Sequence, residues 1–145
     1  MKNLFTSLLI FTFSFLLMSC GDSEDKKTIS SNIQNMREAI QNHNKNDFMK
    51  YVAPRYSGQS HGNRASLERF VINQLKSNKN IYIYIADTSI EISDGIANVV
   101  FYAGTAGGPD QVPERGQLFK VQTTWRAYGG HWQLTNARWR PALIK

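Results

Sequence analysis

The residues able to do chemistry are few, and they are spread along the chain. Tyr56, Ser57, Ser60 and His61 fall in the stretch RYSGQSHGN, and Asp87 follows an alternating run of Ile and Tyr. A carboxylate or imidazole that reaches a substrate proton supports general acid–base catalysis, and a hydroxyl beside an imidazole supports nucleophilic catalysis. Ser57, Ser60 and His61 read as loop residues rather than a nucleophile and its base. Between Ala53 and Ala86 the only carboxylate is Glu68, which helical phase places on a polar side. Asp87 is the acid at a strand end, and Tyr56 and His61 are near enough in sequence to a third helix to reach a pocket mouth. His43 ends a first helix, where a cation is favoured by the helix dipole, and His131 flanks a turn. No His, Cys, Asp or Glu cluster has metal-ligand spacing. The segment GTAGGPDQ lacks the lysine and the strand–helix context of a phosphate loop. No cofactor is expected.

The single cysteine, Cys20, sits where an apolar run, Leu4 to Leu17, meets the charged stretch GDSEDKK. The apolar run is shorter than the roughly 20 residues a membrane-crossing helix needs. With Lys2 before it, it has the layout of a secretory signal. Leu17-Met18-Ser19-Cys20-Gly21 resembles the lipobox of bacterial lipoproteins. That resemblance implies acylation of the Cys20 thiol and cleavage after Ser19, leaving Cys20 as the new N-terminus. With no second cysteine, an exported chain has no internal disulfide to form. The expected organisation is a signal peptide at 1–19, a lipidated N-terminus and solvated linker at 20–28, and one domain at 29–145. The expected address is the bacterial cell envelope, with the membrane as partner through the anchor.

The chain carries 17 Lys+Arg against 11 Asp+Glu, a formal net charge of +6. Such a balance is compatible with anionic lipid headgroups or an anionic polymer, but a basic, soluble surface is expected ahead of a dedicated anion site. Nucleic acid is not expected, given the envelope address.

The elements that must position these residues follow from periodicity. Ile29, Ile33, Met36 and Ile40 recur at helical spacing and predict a first helix ending near Asn44. Asp47 is placed to cap a short second helix with Phe48, Tyr51 and Val52, stopped by Pro54. Leu67, Phe70, Val71 and Leu75 mark a third helix, capped by Asn63 or Ser66. After Asn80 the period becomes two, in IYIYI and in SIEIS. Asp94-Gly95 predicts a tight hairpin into IANVVFYAG. A Gly/Pro-rich loop is expected over Gly104 to Gly116. A last hairpin runs from Leu118 to Arg140, turning at Gly129-Gly130.

Helices followed by a meander of strands predict an α+β fold with the helices on one face of an antiparallel sheet. The order of a long helix, NDFMKYVAP, a third helix and strands ending in TTWRAYGGHWQLTNARW resembles the nuclear transport factor 2-like superfamily. This is the cone-shaped fold shared with ketosteroid isomerases and polyketide cyclases. Asp47, Trp125, Gly129, Gly130, Trp132 and Leu134 carry the likeness, which covers about Ile29 to Pro141. The fold hosts many functions and does not choose among them.

With Gly129-Gly130 as a two-residue turn, Trp125 faces Leu134, Thr123 faces Asn136 and Val121 faces Arg138, all on the helix-covered face. The inner face then grades from apolar Trp132 and Leu134 to polar Asn136 and Arg138. The expected pocket is lined by Trp125, Asn136 and Arg138, with Tyr56 and His61 near its rim and Asp87 as the candidate acid. A one-residue change of register would carry Arg138 to the outer face. The expected function is a non-catalytic binding or accessory module for a small amphiphilic ligand or an envelope partner protein. A homodimer through the sheet is a further expectation. The alternative is a ketosteroid isomerase- or dehydratase-type enzyme, with Asp87, His61 or Tyr56 doing acid–base chemistry.

Overall fold

A computed structural model describes residues 20–108 and 115–142, and the side chains of Cys20 and Arg115 are outside that description. The expected signal peptide, 1–19, lies outside the described residues, as does the middle of the expected Gly/Pro-rich loop. Three helices, α1 (Cys20–Gln41), α2 (Lys45–Met49) and α3 (Arg64–Ser77), precede the long strands. A small ribbon, β1 (Ser57–Gly58) with β2 (Gly62–Asn63), separates α2 from α3. The strands β3 (Asn80–Ser93), β4 (Ile96–Gly108), β5 (Arg115–Tyr128) and β6 (His131–Pro141) form one antiparallel sheet in that order. The architecture is α+β, as expected, with the helices on one face of a curved sheet.

The first helix is longer than its apolar spacing predicts. The expected linker, Gly21–Thr28, forms the opening turns of α1. Asp22 in the first turn complements the helix dipole, and the Thr28 hydroxyl donates to the Glu24 carbonyl at 3.0 Å. A tertiary tie completes it: the Trp132 indole N–H donates to Asp25 Oδ1 at 2.9 Å. The polar composition that suggested a linker is the composition of an exposed helix start held by one distant tryptophan. From Ile29 onward α1 buries its apolar stripe, with Ile29, Ile33 and Met36 all buried. It ends at Gln41, and His43 turns the chain with a φ of 56° while its Nε2 lies 2.8 Å from the Asn78 carbonyl.

Asn44, rather than the expected Asp47, caps α2: its side chain accepts from the Asp47 N–H at 3.1 Å. Asn63 caps α3 in the same way, through the Ser66 N–H at 2.9 Å. Lys45 and Glu68 meet at 2.6 Å and tie α2 to α3. That hydrogen bond holds the Glu68 carboxyl below its ordinary pKa.

The Asp94-Gly95 and Gly129-Gly130 turns are where they were expected, with positive φ at all four residues. Two-residue hairpins favour such turns because their twist matches that of the strands. The two alternating runs after Asn80 join into one strand, β3. Its register shifts between Ala86 and Ser89, where Asp87 has a φ of 52°. The expected loop from Gly104 is strand as far as Gly108, and β5 resumes at Arg115.

A second bulge corrects the last hairpin. Trp125 pairs with Leu134 as expected, but Thr124 then pairs with Asn136, Thr123 with Ala137 and Val121 with Trp139. Thr135 is the extra residue, and its hydroxyl donates to the Thr124 carbonyl at 3.0 Å. A bulge of one residue reverses every later side chain. Ala137 and Trp139 therefore face the helices, and Arg138 points outward.

Trp132 is 5% exposed, beneath the first turns of α1, where Asn32 Nδ2 also donates to its carbonyl at 3.3 Å. Its hydrogen-bond partners on α1, Asp25 and Asn32, precede Met36, which belongs with Trp132 to one core cluster, and Ile40, which packs against that cluster. Trp132→Ala is expected to cost roughly 3–5 kcal/mol in denaturant melts. Trp132→Phe, which keeps an aromatic ring but loses the bond to Asp25, should cost less and raise hydrogen exchange selectively in the opening turns of α1. Unchanged exchange there would remove Asp25–Trp132 as the tie that orders this segment.

Candidate functional site

Between the helices and the sheet lies a cavity of about 730 Å³. Its volume is within the range of about 300–1,000 Å³ usual for small-molecule sites. Ile81, Ile83 and Ile85 of β3, Phe101 and Ala103 of β4, Phe119 and Val121 of β5, and Trp139 of β6 form the sheet wall. Cross-strand register puts these side chains on one face: Ile83 opposes Thr105, which opposes Gln117, and Phe101 opposes Val121, which opposes Trp139. Ile33, Met36 and Ile40 of α1 and Leu67, Phe70 and Val71 of α3 form the helical wall. Trp125, Leu134 and Tyr56 line one apolar region.

Polar lining is concentrated elsewhere. Gln74 and Asn78 come from the end of α3, and Thr105 and Gln117 from a cross-strand pair. Arg37 of α1 is the one formally charged residue lining the cavity among the described residues. Its Nη2 is 3.3 Å from Glu38 Oε1, whereas its Nε is buried without a hydrogen-bond partner. Arg37 follows Ile33 by four residues and precedes Ile40 by three, so it lies on the apolar stripe of its own helix. That position is the sequence signal for it, an arginine outside any carboxylate or histidine pattern.

The expected site residues separate into two groups. Tyr56 and Trp125 line the cavity. Trp125 is 1% exposed and its indole N–H donates to Thr123 Oγ1 at 2.9 Å, which satisfies both buried polar groups. The Tyr56 hydroxyl is buried without a partner, and burial raises its pKa. Gly58 lies directly over that hydroxyl, where a Cβ would stand only 2.2 Å from the oxygen. His61 sits at the turn of the β1–β2 ribbon, stacked on Phe70 at 4.0 Å between ring centres and tilted against Trp139 at 4.9 Å. Both partners line the cavity, so His61 packs behind its wall.

The second group is outside it. Asn136 Nδ2 donates to the Ser57 carbonyl and pins the ribbon to β6. Arg138 is exposed on the outer face, because the bulge at Thr135 shifts the register of the strand that follows it. Asp87 is exposed at the β3 bulge and does not line the cavity. The pocket's polar end is therefore built from α1, α3, β4 and β5 instead of from β6. Among the described residues, no group of three His, Cys, Asp or Glu is arranged to hold a metal ion.

This arrangement of helices, sheet and cavity is the nuclear transport factor 2-like fold. The chain aligns with a proposed dehydratase of the NTF2-like family from Streptomyces avermitilis at a TM-score of 0.74 and 16% identity, over 84% of this chain and 99% of that one. It aligns with a proposed scytalone dehydratase from Novosphingobium aromaticivorans at a TM-score of 0.76 and 10% identity, over 84% and 87%. An NTF2-like protein of unknown function from Pseudomonas putida aligns at a TM-score of 0.70 and 12% identity, over 81% and 86%. At such identities the likeness is one of fold. No protein-family model and no curated protein sequence matches the chain.

His61 supplies a pH test. Burial against Phe70 and Trp139 lowers its pKa below the ordinary 6.5. Its neutral form is favoured in the folded state, so its contribution is complete above the unfolded value. It is lost as pH falls through the lower folded value. Thermal melts taken from about pH 7.5 down to about pH 5 should show a loss of stability that His61→Phe reduces. Identical pH profiles for the two proteins would place His61 in solvent.

Proposed function

We propose that this chain is a lipid-anchored envelope protein whose cavity binds, without catalysis, a small amphiphile with an apolar body and an anionic end. The observation that carries the reading is the cavity itself: about 730 Å³, walled by aliphatic and aromatic side chains, with Arg37 as its charged lining residue among those described. A carboxylate or phosphate seated against Arg37 satisfies the buried Nε–H that the protein leaves unpaired. Guanidinium holds such groups with two parallel hydrogen bonds, a geometry that lysine does not reproduce. The apolar tail then lies along Ile81, Ile83 and Ile85 toward Trp125.

Titrating the full chain with a long-chain fatty acid tests this. Arg37→Gln should weaken binding by about tenfold or more, as expected for one charge-assisted hydrogen-bonded pair. Arg37→Lys should recover only part of the loss. Arg138→Gln should leave the affinity unchanged. Affinity that ignores Arg37 would contradict the proposed orientation.

The anchor has a separate test. Cys20→Ala should abolish metabolic labelling with acyl chains and leave the precursor unprocessed. Labelling that persists in the Cys20→Ala protein would exclude lipidation at this position.

One observation favours acid–base chemistry of the dehydratase or isomerase type instead. The Tyr56 hydroxyl is buried, unpartnered and held protonated by burial, as a proton donor beside a cavity would be. Asp87, the acid that reading requires, is exposed at the β3 bulge. Turnover of a bound ligand that Tyr56→Phe abolishes would replace the binding reading.

A further inference from the structure

The sheet face turned away from the cavity carries a separate pattern. Residues directly opposite each other in the register share a face. One cross-strand row is Ala86, Tyr102, Lys120 and Arg140. The row on one side holds Val100, Gln122 and Arg138, and the rows on the other hold Tyr84, Gly104 and Leu118, then Tyr82, Ala106 and Gly116. Within these rows three tyrosines stand on β3 and β4 and three cations on β5 and β6; a further cation, Arg126, lies on the same face two rows beyond Gln122, toward the Gly129-Gly130 turn. Tyr82 and Tyr84 are 51% and 74% exposed, and Arg138 and Arg140 are exposed as well.

The cations are close together and have no described counter-charge. Lys120 and Arg140 are direct cross-strand partners, a like-charge placement that destabilises a sheet. Arg138 lies two residues from Arg140 on the same face, about 7 Å along the strand. Among the described residues, none of the three takes part in a salt bridge or a side-chain hydrogen bond. Glu91, a described carboxylate on this face, lies in the row of Asn98 and Thr124, three strands and about 14 Å from β6, and Asp87 is exposed at the bulge of the same edge strand. A row of repelling cations with no counter-charge among the described residues is complementary to an external polyanion. The flat neighbouring tyrosines offer amphipathic rings to a partner that is apolar on one side and polar on the other.

We propose that the outer face of the β3–β6 sheet binds a polyanionic sugar polymer, with Lys120, Arg138 and Arg140 meeting its acidic groups and Tyr82 and Tyr84 packing on its sugar rings. The choice of a polymer over a lipid surface rests on the proposed anchor at Cys20. The start of α1 is held beside the Gly129-Gly130 turn by the Asp25–Trp132 bond. Lys120 lies seven residues along β5 from Ala127, the partner of Trp132, or about 23 Å. That exceeds the roughly 8 Å over which charge acts at physiological salt. With β5 standing away from the bilayer, the basic cluster then lies beyond the reach of the lipid headgroups and faces the polymer that surrounds it.

The test uses the full chain in detergent, with heparin as the polyanionic sugar polymer and inorganic polyphosphate as a ring-free control. Heparin should bind more tightly than polyphosphate. The logarithm of its affinity should fall with the logarithm of salt with a slope of about −2 to −3, for three cations. Arg138→Gln with Arg140→Gln should lower heparin affinity by about tenfold or more and flatten that slope by roughly 2. Lys76→Gln with Lys79→Gln removes the same charge from exposed positions at the end of α3 and should change little. Tyr82→Ala with Tyr84→Ala should weaken heparin several-fold and leave polyphosphate unaffected. All of these residues except Lys120 and Tyr102 are at exposed positions, so unchanged melting temperatures will confirm intact folding. Equal losses from the two paired charge variants would reduce the effect to net charge and overturn the site. So would binding to phosphatidylglycerol vesicles that depends on Arg138 and Arg140 when heparin binding does not. A homodimer broken by Tyr84→Asp would show that a second copy already fills the face, and would also overturn the proposal.

Discussion

A single extra residue in β6 determines what the cavity contains. Thr135 bulges between the Trp125–Leu134 and Thr124–Asn136 pairs, and its hydroxyl occupies the Thr124 carbonyl that the disrupted ladder leaves behind. Before the bulge, Trp132 and Leu134 face the helices; after it, Ala137 and Trp139 do. Without it, Asn136 and Arg138 would face the apolar wall, and a guanidinium would have to be desolvated with no partner, which costs several kcal/mol. The bulge sends that charge to the outer face and brings in an indole.

The same strand organises the surrounding loops. Leu134 exchanges backbone hydrogen bonds with the segment after α2: Ala53 N–H donates to its carbonyl at 2.9 Å, and its own N–H donates to the Tyr51 carbonyl at 2.8 Å. Farther along, Gln59 N–H reaches the Ala137 carbonyl at 3.3 Å, and Asn136 holds Ser57. These ties place Tyr56 against Gly58 at the cavity wall and set His61 onto Phe70 and Trp139. The β1–β2 ribbon is thus ordered by β6 more than by its own two-residue pairing. The outer face inherits the consequence: Arg138 joins Arg140 and Lys120 there because the bulge put it there.

Much of this fold is legible in the sequence, where local signals are strong. Helical spacing from Ile29 to Ile40, the Asp94-Gly95 turn and the Gly129-Gly130 turn each specify their element through side-chain periodicity or positive φ. What was not legible depends on partners far away in sequence. The opening turns of α1 look like a linker because their ordering contact, Trp132, is 107 residues away from Asp25. The Thr135 bulge leaves the polar and apolar alternation of β6 plausible in either register, so Asn136 and Arg138 were expected on the wrong face. Arg37 was missed for a different reason: a single arginine on an apolar helical stripe is visible in the sequence, but only the opposing β3 wall makes it part of a cavity.

An amphiphile in the space between α1, α3 and the sheet would touch the isoleucines of both walls. Methyl spectra of the full chain labelled at isoleucine, recorded while a long-chain fatty acid is added, test it directly. Saturable shifts are expected of Ile33, Ile81, Ile83 and Ile85, which line the cavity, with Ile29 and Ile92 unmoved. Shifts confined to Ile29 and Ile92, or none at saturating fatty acid, would contradict it.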